Sequence, residues 1–214
     1  MYIIFPNDPS LSFMNEVLIK LQSYIDDKSV NVISCDPDDA SYIEARKTIQ
    51  SIPLASKIIF IGHSTPSLIY GGMSVDYERK CLIDLASMSV FKDKEIVLVS
   101  CFSSKLLTSS RPHRNYSSGI GFGLLPSELG EIDAHNKMNK IGIEEGDITE
   151  FCGILSKVIA NSVLYWIAND CRLIDVYHYL KILLNREVNE ISLSNGNERV
   201  SEMLYYVVNE SMMD

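Results

Sequence analysis

Two side chains have the types and the placement that nucleophilic catalysis needs. Lys57-Ile-Ile-Phe-Ile61 runs straight into Gly62-His63-Ser64. Glu95-Ile-Val-Leu-Val99 runs straight into Ser100-Cys101-Phe102-Ser103-Ser104. A thiol attacks as its thiolate, and a neutral imidazole within reach can take that proton and later give it to a leaving amine. At a strand end that leads into a helix, free backbone N–H groups should favour the thiolate and lower the Cys101 pKa. Each residue alone has a plainer reading. Free cysteines are often buried as small apolar side chains, and a histidine at a strand end is often just hydrogen-bonded. The pair is more informative, because two successive apolar strands end in a base and a nucleophile.

Those ends must be brought together by a sheet. The two runs show no alternation, as expected for strands covered by helices on both faces of a parallel sheet. Functional groups in such sheets gather at the carboxyl ends of the strands, and neighbouring strands lie about 5 Å apart. Further strands are expected at Tyr2–Phe5, Val30–Ser34 and Gly119–Leu125. A helix from Ser10 or Ser12 to about Ile25 carries Phe13, Val17, Leu18, Leu21 and Ile25 at helical spacing. A second is expected from Asp36-Pro37, with Asp36 as cap, to Pro53, with Tyr42, Ile43, Ala45, Ile49 and Ile52 inward. The Gly71-Gly72 loop reads as part of a small hairpin, and Lys80–Ala86 as a short helix.

After Leu125 the pattern changes. Ser109–Ser118 reads as an exposed loop and Pro126–Gly146 as a long loop or weak element. Asp147-Ile-Thr-Glu150 reads as a capping box opening a helix to about Ala168. Helices near Leu173–Leu184 and Glu198–Asn209 follow, separated by Asn195-Gly196-Asn197. The expected fold class is α/β: a mostly parallel sheet flanked by helices, in one domain over 1–214, with a helical C-terminal part over 147–214.

Composition narrows the function classes. The 214 residues contain 46% apolar and 22% charged residues and carry a formal net charge of −9. This fits a soluble globular protein, and no Lys/Arg cluster supplies the footprint of a direct nucleic-acid partner. The five cysteines, Cys35, Cys81, Cys101, Cys152 and Cys171, are scattered with no C-x-x-C pair, so they read as reduced thiols and not as disulfides or a zinc site. The N-terminus lacks a signal-peptide pattern, and no apolar run approaches a membrane span, so a cytoplasmic protein is expected. A Walker loop, a dinucleotide fingerprint, a Gly-x-Ser-x-Gly elbow and an Arg at phosphate-loop spacing after Cys101 are all absent from the sequence.

An apolar strand with Gly-His-Ser, followed some forty residues on by an apolar strand with Ser-Cys-x-Ser, resembles the paired motifs of the caspase-like cysteine peptidases. Among these, the chain looks closest to the bacterial CHAT-type proteases. The resemblance spans roughly residues 1–130 and includes the Gly119-Ile-Gly-Phe-Gly123 stretch. It implies His63 as general base and Cys101 as nucleophile, with no metal or organic cofactor. It also implies a protein substrate, control by a regulatory protein partner or by processing of the loops, and a setting in bacterial antiviral defence or cell death. Gly62 would leave room for substrate, and the backbone N–H groups of Ser64 and Cys101 would form an oxyanion hole. The chain departs from the pattern in three places. Ser64 stands where many CHAT proteins have Gly, Ser103-Ser104 where Ser-Gly is frequent, and Val99 where metacaspases carry the Asp that receives a basic side chain. A non-catalytic interaction module on the same scaffold is the alternative. Of the remaining polar residues, Asp76, Glu78 and Asp133 are weaker candidates for the pocket. His113 and His135 are expected in loops, and His178 in helix packing.

Overall fold

A computed structural model describes residues 1–112 and 116–214. Its centre is a six-stranded sheet in the order β2-β1-β3-β6-β7-β8, formed by β1 (Tyr2–Pro6), β2 (Asn31–Cys35), β3 (Lys57–Ile61), β6 (Glu95–Val99), β7 (Ser118–Gly121) and β8 (Met212–Met213). The first five are parallel, and β8 closes the edge antiparallel to β7. A two-stranded antiparallel hairpin, β4 (Leu68–Tyr70) and β5 (Cys81–Asp84), leaves the sheet after β3. The protein is thus α/β with a mostly parallel central sheet.

Apolar side chains of the central strands divide between two cores. Ile59 and Ile61 of β3 and Val97 and Val99 of β6 face one cluster. Ile58, Phe60, Ile96 and Leu98 face the other. Burial on both faces is why these strands are continuously apolar. The first core is covered by α1 (Asn15–Lys20), α5 (Glu145–Asn169), α6 (Leu173–Leu193) and α7 (Glu198–Glu210). The second is covered by α3 (Asp39–Ser51), the β4–β5 hairpin and α4 (Ser103–Ser110). The helix α5 is long and apolar enough to cross a bilayer by length and composition, a length of apolar chain that the sequence reading did not credit. Over half of its apolar window is buried, as in a core helix.

Several local expectations need correction. Pro9 turns the first helix into a 3-10 segment, Pro9–Met14, capped by Asp8, and two short helices, α1 and α2 (Gln22–Asp26), follow. Asp38, not Asp36, caps α3: its carboxylate accepts from Ser41 N–H at 2.8 Å. Ile43 points to solvent, because the inward line runs through Tyr42, Ala45 and Ile49 and the next residue is turned about 100° away. Lys80–Ala86 is not a helix. Cys81–Asp84 is a strand whose buried Leu82 and Ile83 pack into the second core. The cap of α5 lies one turn early, where Glu144 N–H donates to Asp147 at 2.8 Å. The stretch read as an exposed loop contains the end of α4, with Ser110 buried, and the buried Tyr116. His113 lies outside the described residues. His135 is buried against Glu210, whereas His178 is exposed on α6 instead of packed.

Candidate active site

Ile61 of β3 and Val99 of β6 are partners in the parallel ladder. His63 and Cys101 therefore stand two residues beyond the same rung on adjacent strands. Gly62 N–H donates to Val99 carbonyl at 3.1 Å, which extends the pairing one step towards them. Ser64 then joins the two loops. Its hydroxyl lies 2.7 Å from Ser100 Oγ and donates to the Cys101 carbonyl. Ser64 is thus a crosslink between the histidine and cysteine loops. The backbone N–H groups of Ser64 and Cys101 donate to no other residue's carbonyl among the described residues, and that of Cys101 is turned to its own sulfur. The space at Gly62 is taken by the protein itself: a Cβ there would lie 2.5 Å from the Phe60 ring.

Cys101 is followed by a sharp turn. Phe102 adopts a left-handed conformation, φ 57°, at the start of α4. The chain after β7 wraps this turn. Phe102 N–H donates to Gly123 carbonyl at 2.7 Å, Ser104 N–H to Phe122 carbonyl at 2.9 Å, and Phe122 N–H to Ser103 Oγ at 2.9 Å. Gly121 permits this approach, since a Cβ there would lie 2.7 Å from Ser104 N. The expected strand through Leu125 therefore stops at Gly121, because residues 122–125 bond to the cysteine turn instead of to a neighbouring strand.

The same wrapping engages the thiol. Cys101 Sγ donates to Leu125 carbonyl at 3.2 Å, and Leu125 N–H points back at the sulfur at 3.4 Å. Cys101 is 7% exposed and belongs to the first core. Burial pushes its pKa up to about 12, and the nearby Glu131 carboxylate adds to the rise. This reverses the sequence expectation of a lowered pKa. The first amides of α4 are spent on Ser100, Phe122 and Phe102 carbonyls and are not aimed at the sulfur.

His63, 8% exposed, lies in a polar network that the sequence reading did not assemble. Its Nε2 is 2.7 Å from Ser10 Oγ and 3.0 Å from an Arg79 guanidinium nitrogen. Arg79 Nε donates to Asp8 Oδ2 at 2.7 Å, and Ser10 Oγ donates to Asp8 Oδ1 at 2.8 Å. On the other side of the ring, Nδ1 faces Glu131 Oε1 at 3.7 Å. Burial lowers the His63 pKa and Arg79 lowers it further, against the opposing pull of Glu131 and Asp8. Burial works against ionisation of Asp8, but its hydrogen bonds from Arg79 and Ser10 prevail and its pKa is lowered.

His63, Gly62 and Cys101 line one small cleft of about 20 Å³ with Leu11, Met14 and Leu125. That is room for a single water, not for a peptide. Asp133, Asp76 and Glu78 are exposed, and it is their neighbours Glu131 and Arg79 that reach the site. Asp8 and Ser10 had a sequence signal as a turn and cap, but nothing local to tie them to residue 63. No protein-family model matches the chain, and no curated protein matches it.

Proposed function

We propose that the chain is a cysteine endopeptidase of the caspase-like kind, nearest the CHAT type, working through Cys101 and His63. The observation that carries this reading is the matched placement of the two residues beyond one rung of the β3–β6 pair. Nε2 of His63 is already engaged, so Nδ1 is the nitrogen left for the thiol. In the reaction, Cys101 Sγ–H gives its proton to Nδ1 and the sulfur attacks the scissile carbonyl. The Ser64 and Cys101 N–H groups receive the oxyanion. The C–N bond breaks as the imidazolium protonates the leaving amine, which leaves a thioester. Water, deprotonated by the same nitrogen, then releases the acid and restores the thiol.

In this conformation the thiol is bonded to Leu125 and the cleft admits one water. Catalysis therefore requires the 122–127 segment to move, which supports control by a regulatory protein partner. The engaged, buried thiol is also the observation that favours the second reading, a non-catalytic interaction module. Site-resolved alkylation across pH separates the two. In the isolated chain, the partly exposed Cys81 and Cys171 should label first and Cys101 slowly. With the activating partner, Cys101 should become the fastest site, and His63→Ala should remove that gain. If no partner or substrate ever accelerates Cys101, or if Cys101→Ala retains cleavage of a true substrate, the peptidase reading fails.

A further inference from the structure

His63 Nε2 has two polar neighbours of different kinds. Arg79 carries only donors, and one of its N–H groups points at Nε2. Ser10 Oγ, at 2.7 Å, can either donate or accept. One ring nitrogen has one in-plane position: it is a lone pair when it receives Arg79 and an N–H when it donates to Ser10, whose Oγ the same Arg79 nitrogen also approaches at 3.1 Å. Asp8 serves both settings, with Oδ2 on Arg79 Nε and Oδ1 on Ser10 Oγ.

We propose that Arg79 is a positioning residue that decides which nitrogen of His63 carries the proton, and thereby whether the ring can act as a base towards Cys101. With Arg79 donating to Nε2, the single proton of the neutral ring sits on Nδ1. The nitrogen left for the thiol is then a donor and cannot take a proton. When Arg79 withdraws, Nδ1 loses a proton to solvent and Nε2 gains one, with no net change. The new N–H donates to Ser10 Oγ, whose hydroxyl still donates to Asp8. Nδ1 then presents a lone pair. The groups facing the ring are Asp8 and Ser10 at the start of the 3-10 segment, Arg79 from the hairpin, Glu131 from the turn at Leu129–Ala134, and Cys101 across the cleft.

Arg79 is suited to movement. Its side chain is 26% exposed, whereas that of Asp8 is fully buried. It stands in the loop between β4 and β5, which is tied down through Tyr77 and Lys80 on Asp39 and Tyr42 on the Gly72 carbonyl. A rotation that keeps Nε on Asp8 lifts the distal nitrogen off the ring, and off Ser10 Oγ and Asp8 Oδ1, to which it also donates. The proposal rests on the peptidase reading only for its consequence at Cys101, since the position of the proton is independent of it.

Ring-nitrogen NMR of the full chain at neutral pH, with His63 assigned by comparison with His63→Ala, tests the proposal. The wild type should show the Nδ1–H form. Arg79→Met should convert it to Nε2–H, and Ser10→Ala should hold Nδ1–H. A wild-type ring with the proton on Nε2 overturns the proposal without any variant, as does an Arg79→Met protein that keeps Nδ1–H. Loss of the guanidinium charge by itself disfavours the thiolate. A rise in Cys101 alkylation in Arg79→Met, of at least about tenfold and so equivalent to one pKa unit, would therefore report a freed base. If the tautomer converts but Cys101 stays inert at every pH even with the activating partner present, Arg79 keeps its role and the peptidase reading is what fails.

Discussion

At the end of β3, His63 is surrounded by charge: Asp8, Arg79 and Glu131 all lie within 4 Å of its ring. One strand away, at the end of β6, Cys101 sits in an apolar core with its thiol bonded to backbone. The His63 pKa is lowered and that of Cys101 is raised, so both groups are held neutral. Proton transfer from thiol to ring is uphill in this arrangement. The histidine is controlled by side chains that can exchange partners, and the cysteine by a stretch of main chain that must move. If the two residues are a catalytic dyad, as proposed, activation has to address both ends.

The largest expected effect comes from breaking the cysteine side. Ser103 is fully buried, and its Oγ accepts from Phe122 N–H at 2.9 Å while donating to the Leu98 or Ser100 carbonyl. Ser103→Ala leaves that amide buried without a partner, at a cost of about 1–3 kcal/mol. Chemical denaturation should show the loss. Because Phe122 begins the segment that holds the thiol, Cys101 alkylation should also speed up. A destabilised protein with unchanged labelling would mean that the 122–125 wrap does not restrain the thiol.

This difference between the two ends also sets what could be read from sequence. The strands at Lys57–Ile61 and Glu95–Val99 were legible to the residue, because each is an apolar run bounded by polar residues. The placement of His63 and Cys101 at adjacent strand ends followed from them. The wrap of residues 122–125 was not legible, since its Gly and apolar residues read as a continuing strand and only the backbone bonds to Phe102, Ser103 and Ser104 reveal otherwise. The histidine network was less legible still. Asp8, Ser10, Arg79 and Glu131 come from three distant segments, and the candidates that the sequence offers, Asp76, Glu78 and Asp133, are only neighbours of two of them. The hairpin and the 3-10 turn decide which acid or base points inward. The two-residue β8 has no sequence signature, because it is defined by backbone pairing with Ile120 and Gly121.

The next effect is electrostatic and belongs to the histidine side. Asp8→Asn leaves Arg79 without its carboxylate partner. It should cost ~2 kcal/mol, less than a wholly buried pair because Arg79 is partly exposed. The pH dependence follows in sign. A lowered Asp8 pKa means that its stabilisation is present above the ordinary carboxylate value of about 4 and is lost as the pH falls through the lower folded value. A lowered His63 pKa acts in the same direction at higher pH. Below about 6.5 the unfolded chain takes up the proton first, so stability declines as the pH falls from there towards the folded value. Urea midpoints measured from pH 7 down should fall in two stages. His63→Ala should remove the upper stage and Asp8→Asn the lower one. A wild-type midpoint that is flat between pH 7 and 5 would contradict the buried neutral ring.

The smallest effect concerns the link between the two ends. The Ser64 hydroxyl bridges from the histidine loop to Ser100 and the Cys101 carbonyl. Ser64→Ala removes that bridge but keeps the backbone amide, so the loss should be near 1 kcal/mol. Ser64→Gly restores the residue frequent in the resembling proteins, and it adds backbone freedom at the same point. If the crosslink holds the two amides in register for an oxyanion, turnover with the activating partner should fall in both variants, and further in the glycine one. If Ser64→Gly is instead as active as wild type, the serine only braces the resting state, and the two strand ends keep their alignment through the β3–β6 ladder alone.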